Sequence, residues 1–471
     1  MIAAGGNLRV VQPHVRMGDP HVCSDDRHRL SLLHALYRPL VRRGEAGTYR
    51  AGVARTWHAD AEARHWRFEL DQDARWSDGM QVTAGDAAAS LVRLRDDPPE
   101  GELGTSGVYQ AYLQGTRIEA TSTHILEVST PEPMADLLDV LVELFILPER
   151  HLAEAAELPP GSGPYRLVEH DDAEVVLEAR APGATSSVVS VAAIASAEER
   201  LVEVAAGRAA IASDIDPHSG GVATWWQPSS VATTFMFNLT DGPCADVRVR
   251  QALNLAVDVE PLIDVLFAGQ ADVTASPCTP TQLGHDPALP PYPYDPDRAQ
   301  SLLRAAGHEA LSLTFDVPAR LPDEAPRLAQ RLAEQLARVG VALEVIIHTD
   351  RPGYAETVRG GRINDAACFD SSPHSSFRLL REKFHAGTRG PWWLGYRNER
   401  FDALVDEAQR TTELSERRAI YRRAATQLHD DAPWLYLYGA RLGWALAPEF
   451  AAWRPTPDGL VAFEAQTRST W

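Results

Sequence analysis

Lysine is all but missing from this chain: of its 45 basic residues only Lys383 is not arginine. A bias of that kind, spread evenly, marks a GC-rich genome, and nowhere does it gather the positive charge into a patch. The 65 acidic residues outnumber the basic ones and leave a formal charge of −20, which repels polyphosphate backbones and anionic headgroups. A nucleic-acid partner is therefore not expected. Cysteine is scarce as well. Cys23, Cys244, Cys278 and Cys368 are scattered, with no C-x-x-C among them, which argues against a disulfide framework, a structural zinc site or a thioredoxin-like pair. No run reaches the ~18 to 20 apolar residues of a membrane-spanning helix. Met1-Ile2-Ala3-Ala4-Gly5-Gly6 carries neither the charged and apolar segments of an export leader nor a lipoprotein cysteine, so a trimmed leader and a cytoplasmic protein both stay open. Gly-x-Ser-x-Gly, His-Glu-x-x-His and phosphate-loop motifs are missing too, and with them the common signatures of hydrolases, zinc proteases and nucleotide-binding enzymes.

A chain of 471 residues exceeds the size at which one hydrophobic core stops growing, so two core-bearing lobes are expected. Residues 7 to 12 read as a first strand that stops at Pro13. The polar loop after it, with Asp19 and His21, is a natural ligand-facing position. Leu30 to Leu40 has approximate helical spacing, ended by Pro39. Trp66 to Leu70 alternates as a half-buried strand, Ser77-Asp78-Gly79 turns the chain, and Thr83 with Asp86 opens a helix as an acidic capping box. Gly161-Ser162-Gly163-Pro164 marks a tight connection before a hairpin of Tyr165 to Val168 and Glu174 to Glu178. Residues 181 to 232 are small and polar, with one helix from Glu198 to Ala206. A strand over Thr234 to Leu239 precedes two helices within 246 to 269, the second capped by Asp258. Leu311 to Val317, Pro326 to Val339 and Val341 to His348 make a strand, helix and strand of the length of a parallel crossover. Ser415 caps a helix through Leu428, and Trp434 to Trp444 is an apolar, aromatic strand region.

Several short pieces recur in a recognisable order. They are Leu36-Tyr37-Arg38-Pro39-Leu40-Val41, Trp66-Arg67-Phe68-Glu69-Leu70, Trp76-Ser77-Asp78-Gly79, Val82-Thr83-Ala84-Gly85-Asp86, Gly161-Ser162-Gly163-Pro164-Tyr165, Phe237-Asn238-Leu239, Asp246 to Leu253, Tyr294-Asp295-Pro296, Phe401-Asp402-Ala403-Leu404 and Asp431-Ala432-Pro433-Trp434-Leu435. In that order the chain resembles the family 5 extracellular solute-binding proteins, which include the oligopeptide, dipeptide and nickel receptors of ABC importers. Each piece alone is a turn or a cap. The resemblance lies in their order along nearly the whole chain. It implies a two-lobed, periplasmic-binding-protein-like α/β fold, with mixed sheets flanked by helices and a subdomain inserted in lobe one. On this sequence lobe one falls at residues 1–238, with the insertion at about 41–160, lobe two at 239–439, and a C-terminal return to lobe one at 440–471. It further implies a monomeric receptor, periplasmic or at the cell surface, without catalysis or cofactor. Such a receptor grips a peptide-like or similar small polar ligand between its lobes and works with ABC-transporter membrane subunits. A cytoplasmic ligand sensor, or an enzyme built on the same fold, is the alternative. The family's Gly-x-x-Asp is replaced here by Gly207-Arg208-Ala209-Ala210, which loses the acid.

Peptide receptors of this family carry an aspartate in lobe two that pairs with the ligand's amino terminus. The comparable stretch is Cys368-Phe369-Asp370-Ser371-Ser372-Pro373-His374. Asp370 ends the apolar run Ala366 to Phe369, so its carboxylate emerges where a buried strand opens into a loop. There it can bind an ammonium or cap the following helix, with Ser371 and Ser372 satisfying backbone donors. Trp225-Trp226 and Trp392-Trp393 are candidate aromatic walls for a ligand, with core packing as the alternative for each. Arg378 can anchor a carboxylate or pair with Glu382 one turn on. His374 stands among the ligand-binding candidates, but with His385 eleven positions on and no further ligands in register no metal is expected.

Overall fold

The computed structural model describes residues 7–22, 25–100, 108–180, 184, 186–371, 373, 375–390 and 392–463. The chain divides into two compact units, one of residues 1–227 with 442–471 and one of residues 228–441. It therefore passes from one to the other twice, after Gln227 and after Arg441. Phe237-Asn238-Leu239 lies inside the second unit. Among the described residues no helix is long and apolar enough to cross a membrane.

In the first unit the strand Asn7–Gln12 pairs in parallel with Val188–Ala193 on one side and Ile211–Ser213 on the other. Glu174–Ala179 and Tyr165–His170 continue the sheet beyond the former, Leu442–Leu446 and Ala223–Gln227 beyond the latter. Both faces are covered. Val10, Val191 and Ile211 meet the helix Arg27–Leu36 through Leu32 and Leu36, while Val11 and Ala212 meet Val204 of the helix Ala197–Ala205. Residues 181 to 232, from whose small and polar sequence only one helix was expected, contain three strands besides it. Val188–Ala193 reads Val-Val-Ser-Val-Ala-Ala, without the alternation of a one-sided strand, because a strand buried on both faces has no polar face to show.

The first helix stops at Leu36, with Tyr37 as its C-cap, two residues short of the expected Pro39. The turn at Gly161 to Gly163 packs on that helix end, and Gly163 N–H donates to Leu36 O at 2.7 Å. A Cβ on either glycine would fall on the carbonyls of Ala35 or Leu36, so close backbone approach requires glycine there. Between these segments the chain builds a separate four-stranded antiparallel sheet, in the order Ala54–Ala59, His65–Leu70, Ile125–Ser129 and Arg117–Ser122. Helix Ala84–Asp96 packs on it and opens with the expected capping box. Thr83 Oγ1 accepts from Asp86 N at 3.2 Å, and Asp86 Oδ2 accepts from Thr83 N at 2.9 Å.

The second unit has a six-stranded sheet in the order Ala271–Val273, Trp434–Ala440, Ala232–Phe237, Ala366–Ser371, Leu311–Pro318 and Val341–His348. The strand, helix and strand read from the sequence form a parallel crossover, in register from Leu311 opposite Val341 to Pro318 opposite His348, with helix Ala325–Ala337 between. Phe235, Phe315, Leu328, Leu332, Cys368 and Leu435 meet in its core. Two caps differ from expectation. Helix Glu260–Phe267 starts from Val259 without a side-chain cap, and Asp258 lies one residue before it with its backbone held by Gln335, whose Oε1 accepts from Asp258 N at 2.6 Å. Glu413, not Ser415, caps helix Leu414–Asp431 and accepts from Ser415 N at 3.1 Å. The aromatic region from Trp434 to Trp444 is two strands, one in each unit, parted at Arg441.

Candidate functional site

Three strands of the second sheet, Leu311–Pro318, Val341–His348 and Ala366–Ser371, run in parallel. Each leads at its carboxyl end into a loop and then a helix: Ala325–Ala337, Arg351–Arg359 and Ser376–Phe384. In open α/β sheets ligands are held outside these carboxyl ends, where loops diverge and helix N-termini bring unpaired N–H groups together.

Asp370 sits at this end, opposite Thr233 in the ladder. Its Oδ1 stands 3.5 Å from Nη2 of Arg351, the first residue of the helix that follows Val341–His348, two strands away in the sheet. The Arg351 guanidinium lies 5.0 Å from the centre of the Phe369 ring and 5.8 Å from that of Tyr354, and its Nε donates to Leu321 O at 3.0 Å. Ser371 is buried at the end of the same strand. The helix after it is capped by Ser375, whose Oγ accepts from Arg378 N at 3.4 Å. Asp370 is therefore not the cap, and that alternative is corrected. The cap falls at Ser375 because the strand runs on through Ser371 before the chain turns. Ser372 and His374 lie outside the described residues. Nearby, Glu324 accepts from Thr233 Oγ1 and from Tyr438 OH, both at 3.2 Å. Burial raises its pKa above the ordinary carboxyl value, and the two hydroxyl donors pull against that rise.

The two tryptophans of the second unit part company. Trp392 packs on Phe369, with ring centres 4.5 Å apart, on the strand face opposite the Asp370 side chain. Lys383, the lone lysine, is buried with Nζ 5.3 Å from the Trp392 ring, 5.7 Å from Phe369 and 5.7 Å from Trp434. Trp393 instead donates from Nε1 to Tyr396 O at 2.8 Å, between Arg389 and Arg397. Arg378 is buried with Nε 3.5 Å from Glu382 Oε1, the one-turn pairing weighed above. His385 accepts at Nδ1 from Thr388 N at 3.0 Å and has Nε2 3.4 Å from Asp406. Among the described residues no group of three or more His, Cys, Asp or Glu side chains is placed to hold a metal ion.

In the first unit Asp19 and His21 do lie in the loop after the first strand, but Arg93 engages both. Its Nη1 and Nη2 donate to the Asp19 carboxylate at 3.2 and 2.6 Å, and Nη1 also donates to His21 Nδ1 at 2.8 Å. Because Nδ1 must accept, Nε2 carries the proton and donates to Phe145 O at 2.9 Å. Burial pushes the His21 pKa down to about 4, with the facing guanidinium adding to the effect. Asp19 is held below the usual carboxylate range: burial, the largest single influence, opposes this, and the Arg93 hydrogen bonds and charge together with the backbone N–H of His21 outweigh it. Trp225 and Trp226 do not form one wall, since successive strand residues face opposite sides of the sheet. Trp225 packs with one core under the Arg454 guanidinium, 3.8 Å from its ring centre, and Trp226 packs with the other, lying on Gly443.

Arg351, Phe369, Lys383 and Glu324 were not singled out from sequence. Lys383 had a signal in being the only residue of its kind. The others did not, because they meet Asp370 only through the register of parallel strands and the start of a helix in another loop.

The model for bacterial extracellular solute-binding proteins, family 5 Middle, matches residues 48–364, and the chain belongs to that family. Glutathione-binding protein GsiB of Pectobacterium atrosepticum is 24% identical over 441 residues, spanning 88% of this chain and 84% of that protein. Among solved structures, HbpA2 from Haemophilus parasuis superposes with a TM-score of 0.84 at 19% identity, covering 98% of this chain and 99% of the other. The ABC transporter-associated periplasmic binding protein DppA from Helicobacter pylori, in complex with the peptide STSA, superposes at 0.76 and 19% identity, again over 98% and 99%. The fold is that of the periplasmic binding proteins, α/β with mixed sheets flanked by helices, and the chain is a solute-binding protein.

Proposed function

We propose that this chain is the receptor of an ABC importer for a peptide-like or similarly sized polar solute. It works in the periplasm or at the cell surface as a monomer and passes its ligand on unaltered. The observation that carries this reading is the end of the second sheet, where Asp370 and Arg351 stand 3.5 Å apart and the Arg351 guanidinium lies 5.0 Å from the Phe369 ring, on which Trp392 packs. Opposite charges held together suit a solute that itself carries an ammonium and a carboxylate, and the rings offer apolar cover for what lies between. Asp370 is the group for the ammonium. The glutathione-binding relative and the peptide-bound neighbour support the same solute class.

Calorimetric titration of the full chain with reduced glutathione and with the tetrapeptide Ser-Thr-Ser-Ala, followed by mass spectrometry of the released compound, tests it. One saturable site and a ligand recovered intact are expected. Asp370→Asn should weaken a peptide with a free amino terminus by about 10- to 100-fold, the value of one charge-assisted contact, and leave its N-acetylated form nearly unchanged. Turnover of the compound, or equal affinities in wild type and Asp370→Asn, would count against the reading.

A further inference from the structure

The last strand of a sheet presents a row of backbone N–H and C=O groups that another strand can pair with, and folded chains blunt such edges by shortness, irregularity, charge or cover. Most edges of this chain are blunted. Ala54–Ala59 and Arg117–Ser122, the edges of the four-stranded sheet, lose register between Ala54 and Thr56 and between Ala120 and Ser122. Tyr165–His170, at one end of the first unit's large sheet, loses it between Leu167 and Glu169. Ala223–Gln227, at the other end, carries the C-terminal segment: the Arg454 guanidinium lies 3.8 Å from the Trp225 ring centre, and Gln227 Nε2 donates to Thr456 O at 3.1 Å. Ala271–Val273, at one end of the second unit's sheet, is only three residues long.

Val341–His348, at the opposite end of that sheet, is the exception. It stays in register with Leu311–Pro318 over all eight of its residues and pairs with no other strand among the described residues. It contains neither proline nor lysine. Leu343 and Val345 pack on the core of the unit, but Ile346 is 36% exposed and Ile347 is 45% exposed. Exposed β-branched side chains on an edge strand gain cover when a further strand is laid beside them. Glu344 is the strand's one acidic residue. It is exposed, alternation puts it on the same face as Ile346, and it has no ion-pair partner among the described residues.

We propose that Val341–His348 takes an extended segment of a partner protein as a seventh strand of the second unit's sheet, one that alternates β-branched aliphatic residues with a basic residue facing Glu344. Backbone hydrogen bonds along the open edge supply the affinity, and the isoleucines with Glu344 supply the choice of partner. Charge selects this occupant over a second copy of the chain: two copies each carrying −20 repel, whereas a basic segment is attracted both by the whole molecule and by the unpaired Glu344. The strand that carries Asp370 lies two places inward from this edge, so the inference goes beyond the solute-binding reading and holds whatever the solute is.

The test titrates the full chain with dye-labelled acetyl-Thr-Val-Lys-Val-Thr-Val-amide, followed by fluorescence anisotropy, and with the same peptide carrying glutamate in place of lysine. The lysine peptide should bind about fivefold more tightly, the difference between an opposite-charge and a like-charge cross-strand pair, and Glu344→Lys should reverse the order. Hydrogen exchange should slow at alternate amides of Val341–His348 when the lysine peptide is bound, and stay as it was in Ala366–Ser371. Ile346→Lys puts a guarding charge on the edge and should weaken the lysine peptide about tenfold, while the titration with glutathione or Ser-Thr-Ser-Ala is unmoved. No saturable binding of the lysine peptide, equal affinities for the two peptides in wild type and in Glu344→Lys, or unchanged exchange along Val341–His348 overturns the proposal. Sedimentation that finds the wild-type chain dimeric and Ile346→Lys monomeric overturns it as well, because a second copy then covers the edge.

Discussion

Asp19 and His21 share one guanidinium, and that sharing makes the loop after the first strand sensitive to acid. His21 is neutral in the fold because its one acceptor nitrogen faces Arg93. Its pKa is about 4 folded against about 6.5 unfolded. Between these values the unfolded chain binds the extra proton, so stability falls as pH drops from about 6.5 to 4 and is unaffected above that window. The loss amounts to about 3 kcal/mol for this group. Urea unfolding of wild type and His21→Gln at pH 7.5 and 4.5 checks it. The variant, which does not titrate there, should lose correspondingly less, and equal losses would contradict the account. Residue-level legibility was uneven for a related reason. That Asp370 emerges at a strand end could be read from the apolar run before it. That Arg351 waits beside it could not, because nothing local in Asp350-Arg351-Pro352 reports the strand two positions away in the sheet. Asp19 and His21 were read as ligand-facing from their loop, and the sequence carried no sign of Arg93, which comes from the helix Ala84–Asp96.

Among the elements, those with local chemical signatures were legible. The capping box, the hairpin at Tyr165, and the crossover from Leu311 to His348 each carry their own turn residues or periodicity. Thr83→Ala removes an oxygen that accepts from Asp86 N and leaves the Asp86 carboxylate with one partner fewer. A loss of about 1 kcal/mol is expected, read as a lower denaturant midpoint with an unchanged slope. No shift in the midpoint would show the box to be dispensable. What stayed illegible were strands whose polarity pattern is set by tertiary burial, not by local sequence. Val188–Ala193 is covered on both faces, and Ile211–Ser213 is too short for any period to register. The caps at Val259 and Glu413 were missed because each helix begins one residue away from where its candidate cap suggested: after Val259, not Asp258, and at Leu414, where the Ser415 hydroxyl itself donates to Glu413.

For the whole molecule, length alone called for more than one core, and among the described residues the first unit has one on each face of its sheet and the second unit has its own. The order of short motifs along the chain carried the family, though none of them touches the Asp370 and Arg351 corner. They fix turns, caps and close approaches such as Gly163 on Leu36, which any solute would need equally. On the proposed reading solute identity resides in the side chains at the sheet end, Asp370 and Arg351, which suit a compound with both charges. Native mass spectrometry of the full chain, isolated from the cell that makes it, tests that claim most directly. One equivalent of a small compound carrying an amine and a carboxylate, released intact on denaturation, is the predicted result. A bound compound that lacks either charge, or one chemically changed on incubation with the protein, would contradict it.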